Sequence, residues 1–319
     1  MKQSYLDKVC SMKCISSLSI FNTILLVSST QSYAGFSDYI PFKQKKSEAE
    51  IIQKEFAVKA NPIITVKDTV GNIEVKAWKQ NKVALTATKK APKTELLSAI
   101  DLKIDTTADG LVVLTSTPQE NKVSLDYILL VPEQSHVNLV STIGNIKIEG
   151  INGRICATTD KGNIEIDKAC NTVIATSNSQ GSITINEAKG NTKATCHKGN
   201  ITINDAHSSV IAFTQNGNID VQNACVPATS KINLETKSGL IAVKLPQEVN
   251  ANLKANAGKG VVTSQHLITL KQRTTKLDNQ AWKQLKTHVD GILGSGEANI
   301  TLTTNKGNIK ILETKTKVA

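Results

Sequence analysis

A glycine followed by asparagine, an apolar residue, one variable position and a second apolar residue returns through this chain at nearly constant intervals. "KGNIEID" at 161–167, "KGNITIN" at 198–204 and "NGNIDVQ" at 216–222 are full copies, and looser ones are centred on Gly71, Gly144, Gly181, Gly239 and Gly307. From Gly144 to Gly239 the glycines are 18, 19, 18, 18 and 22 residues apart. The fullest copies also carry an apolar residue seven positions before the glycine, Leu or Ala five before, and Thr or a similar residue three before. Around Gly199 these slots hold Thr192, Ala194 and Cys196, with Ile201 and Ile203 after the glycine. Period-two spacing on both sides of the glycine predicts two short strands, each with one buried face, joined by a polar corner at which glycine adopts positive φ.

A unit of this length cannot bury its apolar face alone and must stack on its neighbours. An antiparallel meander or sandwich has no need for the same residue at the same offset in every unit, whereas a parallel stack sets Ile on Ile and Thr on Thr. The sequence therefore predicts an all-β, single-chain β-solenoid, or β-helix. Its coils of about 18 residues advance about 4.8 Å per coil. The expected domain spans 51–313, with regular coils over 144–245. Aromatic residues make up only 3% of the chain, which suits a thin, strand-lined core. Ala169, Ala188, Ala206 and Ala224 all stand seven residues after a glycine and predict a second, narrow inward corner.

The flanking segments read differently. Residues 1–34 have the pattern of an export signal: Lys2, Lys8 and Lys13, an apolar stretch over 15–29, and small residues at Ser32 and Ala34, so that the mature chain would begin at Gly35. A charged linker is expected over 35–50, a strand-rich cap from Phe56 to 132, and a polar tail over 314–319. Residues 264–288 interrupt the repeat and favour an irregular loop or short strands over a helix carrying Trp282, Leu285 and Val289. After the signal, no stretch is long and apolar enough to span a membrane.

Formal charge is +11, and removing the three lysines and Asp7 of the signal leaves +9. That surplus favours anionic partners such as envelope polysaccharide, beside other surface proteins, and it also keeps a long β-surface from aggregating. Arg154 and Arg273 are the only arginines, so specific nucleic-acid recognition is not expected.

Four cysteines remain after the signal: Cys156, Cys170, Cys196 and Cys225. Cys170 and Cys225 share an offset but lie three coils apart, about 14 Å along the axis, beyond disulfide reach. Cys196 falls in the inward slot of Thr159 and Thr214, and Cys156 points outward, where a free or intermolecular thiol is open to it. No zinc spacing, phosphate loop or dinucleotide fingerprint is present, and no metal or cofactor is expected. A solenoid hydrolase needs carboxylates projecting from neighbouring coils. Five residues after the glycines come Glu149, Asp167, Asn186, Asn204 and Gln222. Six after come Lys168, Glu187, Asp205 and Asn223, which makes Glu187 and Asp205 the candidate binding pair, with no catalytic residue assigned.

The order "DYILLVPEQSHVNLVSTIGNIKIEGING", the run of "GNI" coils, "LETKSGLIAVKLP" and "GSGEANITLTTNKGNIKIL" resembles the bacterial DUF4097 family of candidate adhesins, related to the head-GIN group of β-solenoid proteins, over residues 50–313. The resemblance implies an exported, strand-only solenoid and carries over no catalytic residue. Two functions stay open: a non-catalytic structural or adhesin-like binding module at the cell envelope, and a polysaccharide-active β-helix enzyme, a lyase or glycosidase.

Overall fold

A computed structural model of the chain describes residues 23–25, 48–107, 110–116, 123–271 and 286–314. Among these residues the strands form two sheets of 13 strands each. Each repeat lays one strand in each sheet: Ile155–Lys161 in one, then the corner at Gly162, then Ile164–Ala169 in the other, after which Val173–Gln180 returns to the first. Successive copies pair in parallel and in register. Ile146, Ile164, Ile183, Ile201, Ile219, Ile241 and Ile309 form one continuous column. Ala157, Ala175, Ala194, Ala212, Leu234 and Leu302 form another across the core. All of these are at most 1% exposed. Each buried isoleucine contributes on the order of 2–3 kcal/mol of transfer free energy, so the repeated column is the main hydrophobic element of the rod. The fold is the expected β-solenoid.

The corners explain the glycines. From Gly71 to Gly307 the eight corner glycines have φ between 148° and 158°, a region essentially reserved for glycine. A Cβ at any of them would lie 1.7 to 2.2 Å from a backbone carbonyl oxygen of the preceding rung. The asparagine that follows closes the corner from outside. The backbone N–H of Asn163 donates to Asn145 Oδ1 (2.8 Å), that of Ser182 to Asn163 Oδ1 (2.8 Å), and that of Asn218 to Asn200 Oδ1 (2.8 Å). These side chains thus satisfy amides that the turn removes from the ladder.

Order along the rod departs from order along the chain at both ends. The rung of Ile63–Val70 and Ile73–Trp78 lies between the rung of His136–Ile143 and Ile146–Glu149 and an outer rung of Gly110–Ser116 and Ser124–Pro132. At the other end Ala298–Lys306 and Ile309–Glu313 intercalate between Lys231–Ser238 with Ile241–Leu245 and the outer pair Ala251–Asn256 with Val262–Ser264. Gly260, which the repeat pattern does not single out, thereby joins the glycine column: its Cβ would stand 1.8 Å from Gly307 O. Antiparallel strands then finish the stack, with Lys82–Ala91 on Ser124–Pro132, Asp101–Thr107 on Gly110–Ser116, and His288–Leu293 on Ala251–Asn256. The switch covers the parallel edge at three of the four sheet ends, while Val262–Ser264 stays a terminal parallel strand at the fourth.

Several expectations are refined. The strand Glu48–Ala57 begins inside the stretch read as a linker over 35–50, and pairs antiparallel with Lys82–Ala91. The predicted export signal falls outside the described residues except for Thr23–Leu25, a short strand paired with Ile51–Gln53. Of the interruption at 264–288, the described part holds the strand Thr269–Leu270. Trp282 and Leu285 lie outside the described residues, as does the tail beyond Thr314, whose N–H donates to Leu245 O at 2.8 Å. Ala224 is corrected: it is exposed, and Asn223 is the buried residue paired with Ala206. Its rung lacks the extra residue that turns the corner after Asp167, Asn186 and Asn204, so the chain arrives at the bend one position early.

Candidate functional site

Inside the corner column runs a ladder of small polar side chains. Ser141 Oγ donates to Gly71 O (3.3 Å), Thr159 Oγ1 to Gly144 O (3.0 Å), Thr214 Oγ1 to Gly199 O (3.1 Å), Thr236 Oγ1 to Gly217 O (3.0 Å) and Thr304 Oγ1 to Gly239 O (3.0 Å). Cys196 takes this slot as expected; it is buried, its Sγ stands 2.9 Å from Gly181 O, and burial pushes its thiol pKa up. Ser177 fills the slot in the rung of Gly181, where a register shift absorbs the one extra residue. At the N-terminal end the slot holds Asp68, 4% exposed, with neither carboxyl oxygen hydrogen-bonded. Burial raises its pKa to about 7, opposed by the Thr69 backbone amide and reinforced by the charge of Asp126.

The second corner carries the charged candidates. Gly150, Lys168, Glu187 and Asp205 occupy it in successive rungs with φ of 77°, 57°, 54° and 52°. Glu187 is exposed and Asp205 half-buried. No hydrogen bond joins their side chains; Asp205 Oδ1 instead accepts from Gln222 Nε2 at 3.4 Å. A left-handed backbone at a charged, non-glycine residue costs about 1 kcal/mol. Glu187→Gly is therefore expected to raise stability by about 1 kcal/mol, read as a higher urea midpoint; a lower midpoint would mean that the side chain, not the backbone, decides at this position.

On the outer face of the same sheet the residues five after the glycine form one column, in which Glu149, Asp167, Asn186 and Asn204 are successive partners. Asn186 Nδ2 donates to Asp167 Oδ1 (2.5 Å) and Asn204 Nδ2 to Asn186 Oδ1 (2.8 Å). The amides thus hold one another in a fixed orientation, leaving a regular polar face. Among the described residues no group of three or more His, Cys, Asp or Glu side chains converges as metal ligands would. Cys156 is half-buried, while Cys170 and Cys225 are exposed. Cys225 Sγ lies 3.7 Å from Nδ1 of His207, a neighbour the cysteine spacing alone does not suggest.

Sequence reasoning also missed a cleft of about 250 Å³ at the N-terminal end, between the turns at 60–61, 79–81 and 132–134. Trp78 forms its wall. The indole Nε1–H donates to Lys82 O (2.8 Å), and Lys82 Nζ stands 5.6 Å from the ring centroid while donating to Glu55 Oε2 (2.8 Å). The opposite turn is fixed by Ser135, whose Oγ donates to Pro132 O (2.6 Å), and by Asn152 N–H donating to Glu133 O (2.7 Å). Glu133 is the one carboxylate among the lining residues, so the two-carboxylate arrangement of glycoside hydrolysis lacks its second member there.

Similar solved structures include candidate adhesins from Bacteroides fragilis and Parabacteroides distasonis. The first is 17% identical, covering 83% of this chain and 97% of that one at a TM-score of 0.45. The second is 10% identical, covering 82% and 97% at 0.32. A candidate cell adhesion protein from Clostridium sporogenes is 11% identical, covering 84% and 99% at 0.27. No curated protein matches the sequence. The family model described as Toastrack DUF4097 matches residues 33–312, and with its column of corner glycines and two parallel sheets this chain belongs to the Toastrack DUF4097 family.

Proposed function

We propose that this protein is a non-catalytic, adhesin-like binding module exported to the cell envelope, where the outer faces of the rod hold anionic polysaccharide or other surface proteins. The observation that carries this reading is the outward column Asp167, Asn186 and Asn204, whose amides are locked to one another across rungs. Side chains fixed before a ligand arrives lose little entropy on binding, and their spacing along the rod, about 4.8 Å, offers a polymer the same contacts repeatedly. Glu187 and Asp205 border that face and suit neutral or cationic groups there, while the net charge of +9 left after residues 1–34 favours an anionic partner elsewhere on the rod. The basic start, apolar stretch and small residues of 1–34 support export. Among the described residues no helix is long and apolar enough to cross a membrane.

The test combines cell fractionation and N-terminal sequencing with a glycan array, followed by mass spectrometry of the array ligands after incubation. The expected result is an envelope protein starting at Gly35 that retains glycans without cleaving them. Released fragments would instead establish a polysaccharide-active enzyme, and an uncleaved chain in the cytoplasm would overturn export.

A further inference from the structure

Polar side chains of this rod fall into two groups. The corner asparagines and the amides of the outer column are oriented by bonds between rungs, each accepting from or donating to the next. Around the Trp78 cleft the situation is reversed. Asn61, Gln80, Asn81, Glu133 and Gln134 line it, and their side chains make no hydrogen bond or ion pair among the described residues. Asn61 also holds φ at 55°, a left-handed conformation that asparagine tolerates better than most residues. Free amides, one free carboxylate and the exposed ammonium of Lys79 thus surround an aromatic ring that is clamped by its own N–H and by Lys82.

A rigid aromatic wall beside a small set of uncommitted polar groups is the composition of a small-molecule site. The indole presents an apolar face to C–H groups, and the amides and carboxylate offer both donors and acceptors. Pyranose sugars carry this combination: one face of axial C–H bonds and a rim of hydroxyls, each both donor and acceptor. The volume, about 250 Å³, lies below the usual range for drug-sized ligands and suits one ring rather than an oligosaccharide. Glu133 and Lys79 both line the cleft, so it carries one charge of each sign and no net charge, which suits a neutral ring.

We infer that the cleft between Trp78 and the 132–134 turn is a subsite for a single neutral pyranose, plain or N-acetylated, within a longer glycan. The inference rests on the binding-module reading and gives that module a defined contact point. Trp78 stacks on the ring, while Asn81, Gln134 and Glu133 hold its hydroxyls.

The experiment uses the full chain carrying Trp282→Phe, so that Trp78 is its only tryptophan. Methyl glycosides of glucose, galactose and mannose, and N-acetylglucosamine, are titrated while indole emission is followed. At least one sugar is expected to shift the emission, with a Kd on the order of 1 mM. Asn81→Ala and Gln134→Ala, both exposed turn positions, should weaken it at least tenfold while leaving the thermal melt in place. If glycans are retained on the array but no sugar perturbs Trp78, or the two alanine variants bind as the parent does, the subsite is wrong and the binding module stands. If the array is also blank, the module reading falls with it.

Discussion

Gly181→Ala is expected to prevent the rod from folding, or to cost more than about 4 kcal/mol if it folds at all. The added Cβ would stand 1.7 Å from Gly162 O and 2.5 Å from Gly162 C. These are backbone atoms, so no rotamer change relieves the contact. The rung cannot slide either, because Ile183 is paired to Ile164 on one side and to Ile201 on the other, and a shift of one residue would send its buried face outward. The backbone adds its own penalty, since φ of 152° is closed to alanine. Gly150→Ala is the informative comparison. There φ is 77° and the nearest atom is the Ala77 side chain at 3.2 Å, so the expected cost is only about 1–2 kcal/mol, the left-handed penalty alone. Urea unfolding followed by far-ultraviolet circular dichroism separates the two. A Gly181→Ala protein within 1 kcal/mol of its parent would mean that the corner is not closed by direct contact between rungs.

Repetition made the rod legible in the sequence because a parallel stack demands the same residue at the same offset. The Gly–Asn–Ile phrase states the corner, the inner hydroxyl slot and the Ile column at once, and Cys196 could be placed inside on that basis alone. What the pattern does not contain is the order in which rungs stack. Intercalation of 298–313 beneath 251–264 is a choice among surfaces of nearly equal shape, because Val262 and Ile241 both pair with Ile309 in one register. Nothing local marks which comes first. Ala224 was misplaced for a related reason: an offset counted from the glycine is valid only while every rung turns its second corner with the same number of residues, and the rung of Gly217 uses one fewer. The cleft was invisible because its walls come from three turns far apart in sequence, where no periodicity operates. Trp78 is the one aromatic signal there, and a lone tryptophan at a strand end reads as packing.

Asp68 turns the inner ladder into a source of pH dependence. In six of the seven other corner rungs this slot holds a hydroxyl or thiol directed at the carbonyl of the preceding corner, as Ser141 does toward Gly71 O and Thr159 toward Gly144 O. For the rung of Gly71 the equivalent carbonyl is that of Leu125, which lies 2.0 Å from the position of a Gly71 Cβ, with Asp68 Oδ2 2.9 Å away from the same point. A carboxylate can only accept hydrogen bonds, so it repels this oxygen, whereas a protonated carboxyl has the one O–H the slot needs. Its pKa is raised from 3.8 to about 7, chiefly by burial. A carboxyl raised on folding stabilises the native state fully below its unfolded pKa. That contribution is lost progressively as pH rises from about 4 to about 7, with no further change above. At 1.36 kcal/mol per unit the loss is on the order of 4 kcal/mol. About one unit of that window is already passed at pH 5, so the wild-type unfolding free energy is expected to be about 2–3 kcal/mol lower at pH 8 than at pH 5. Asp68→Thr, which installs the side chain used by Thr159, Thr214, Thr236 and Thr304, should be more stable than wild type at pH 8 and nearly flat between the two pH values. Parallel pH profiles for wild type and Asp68→Thr would show that some other group sets the dependence. A flat wild-type profile would show that Asp68 stays ionised in the fold, and that the cap tolerates an unpaired carboxylate facing a carbonyl.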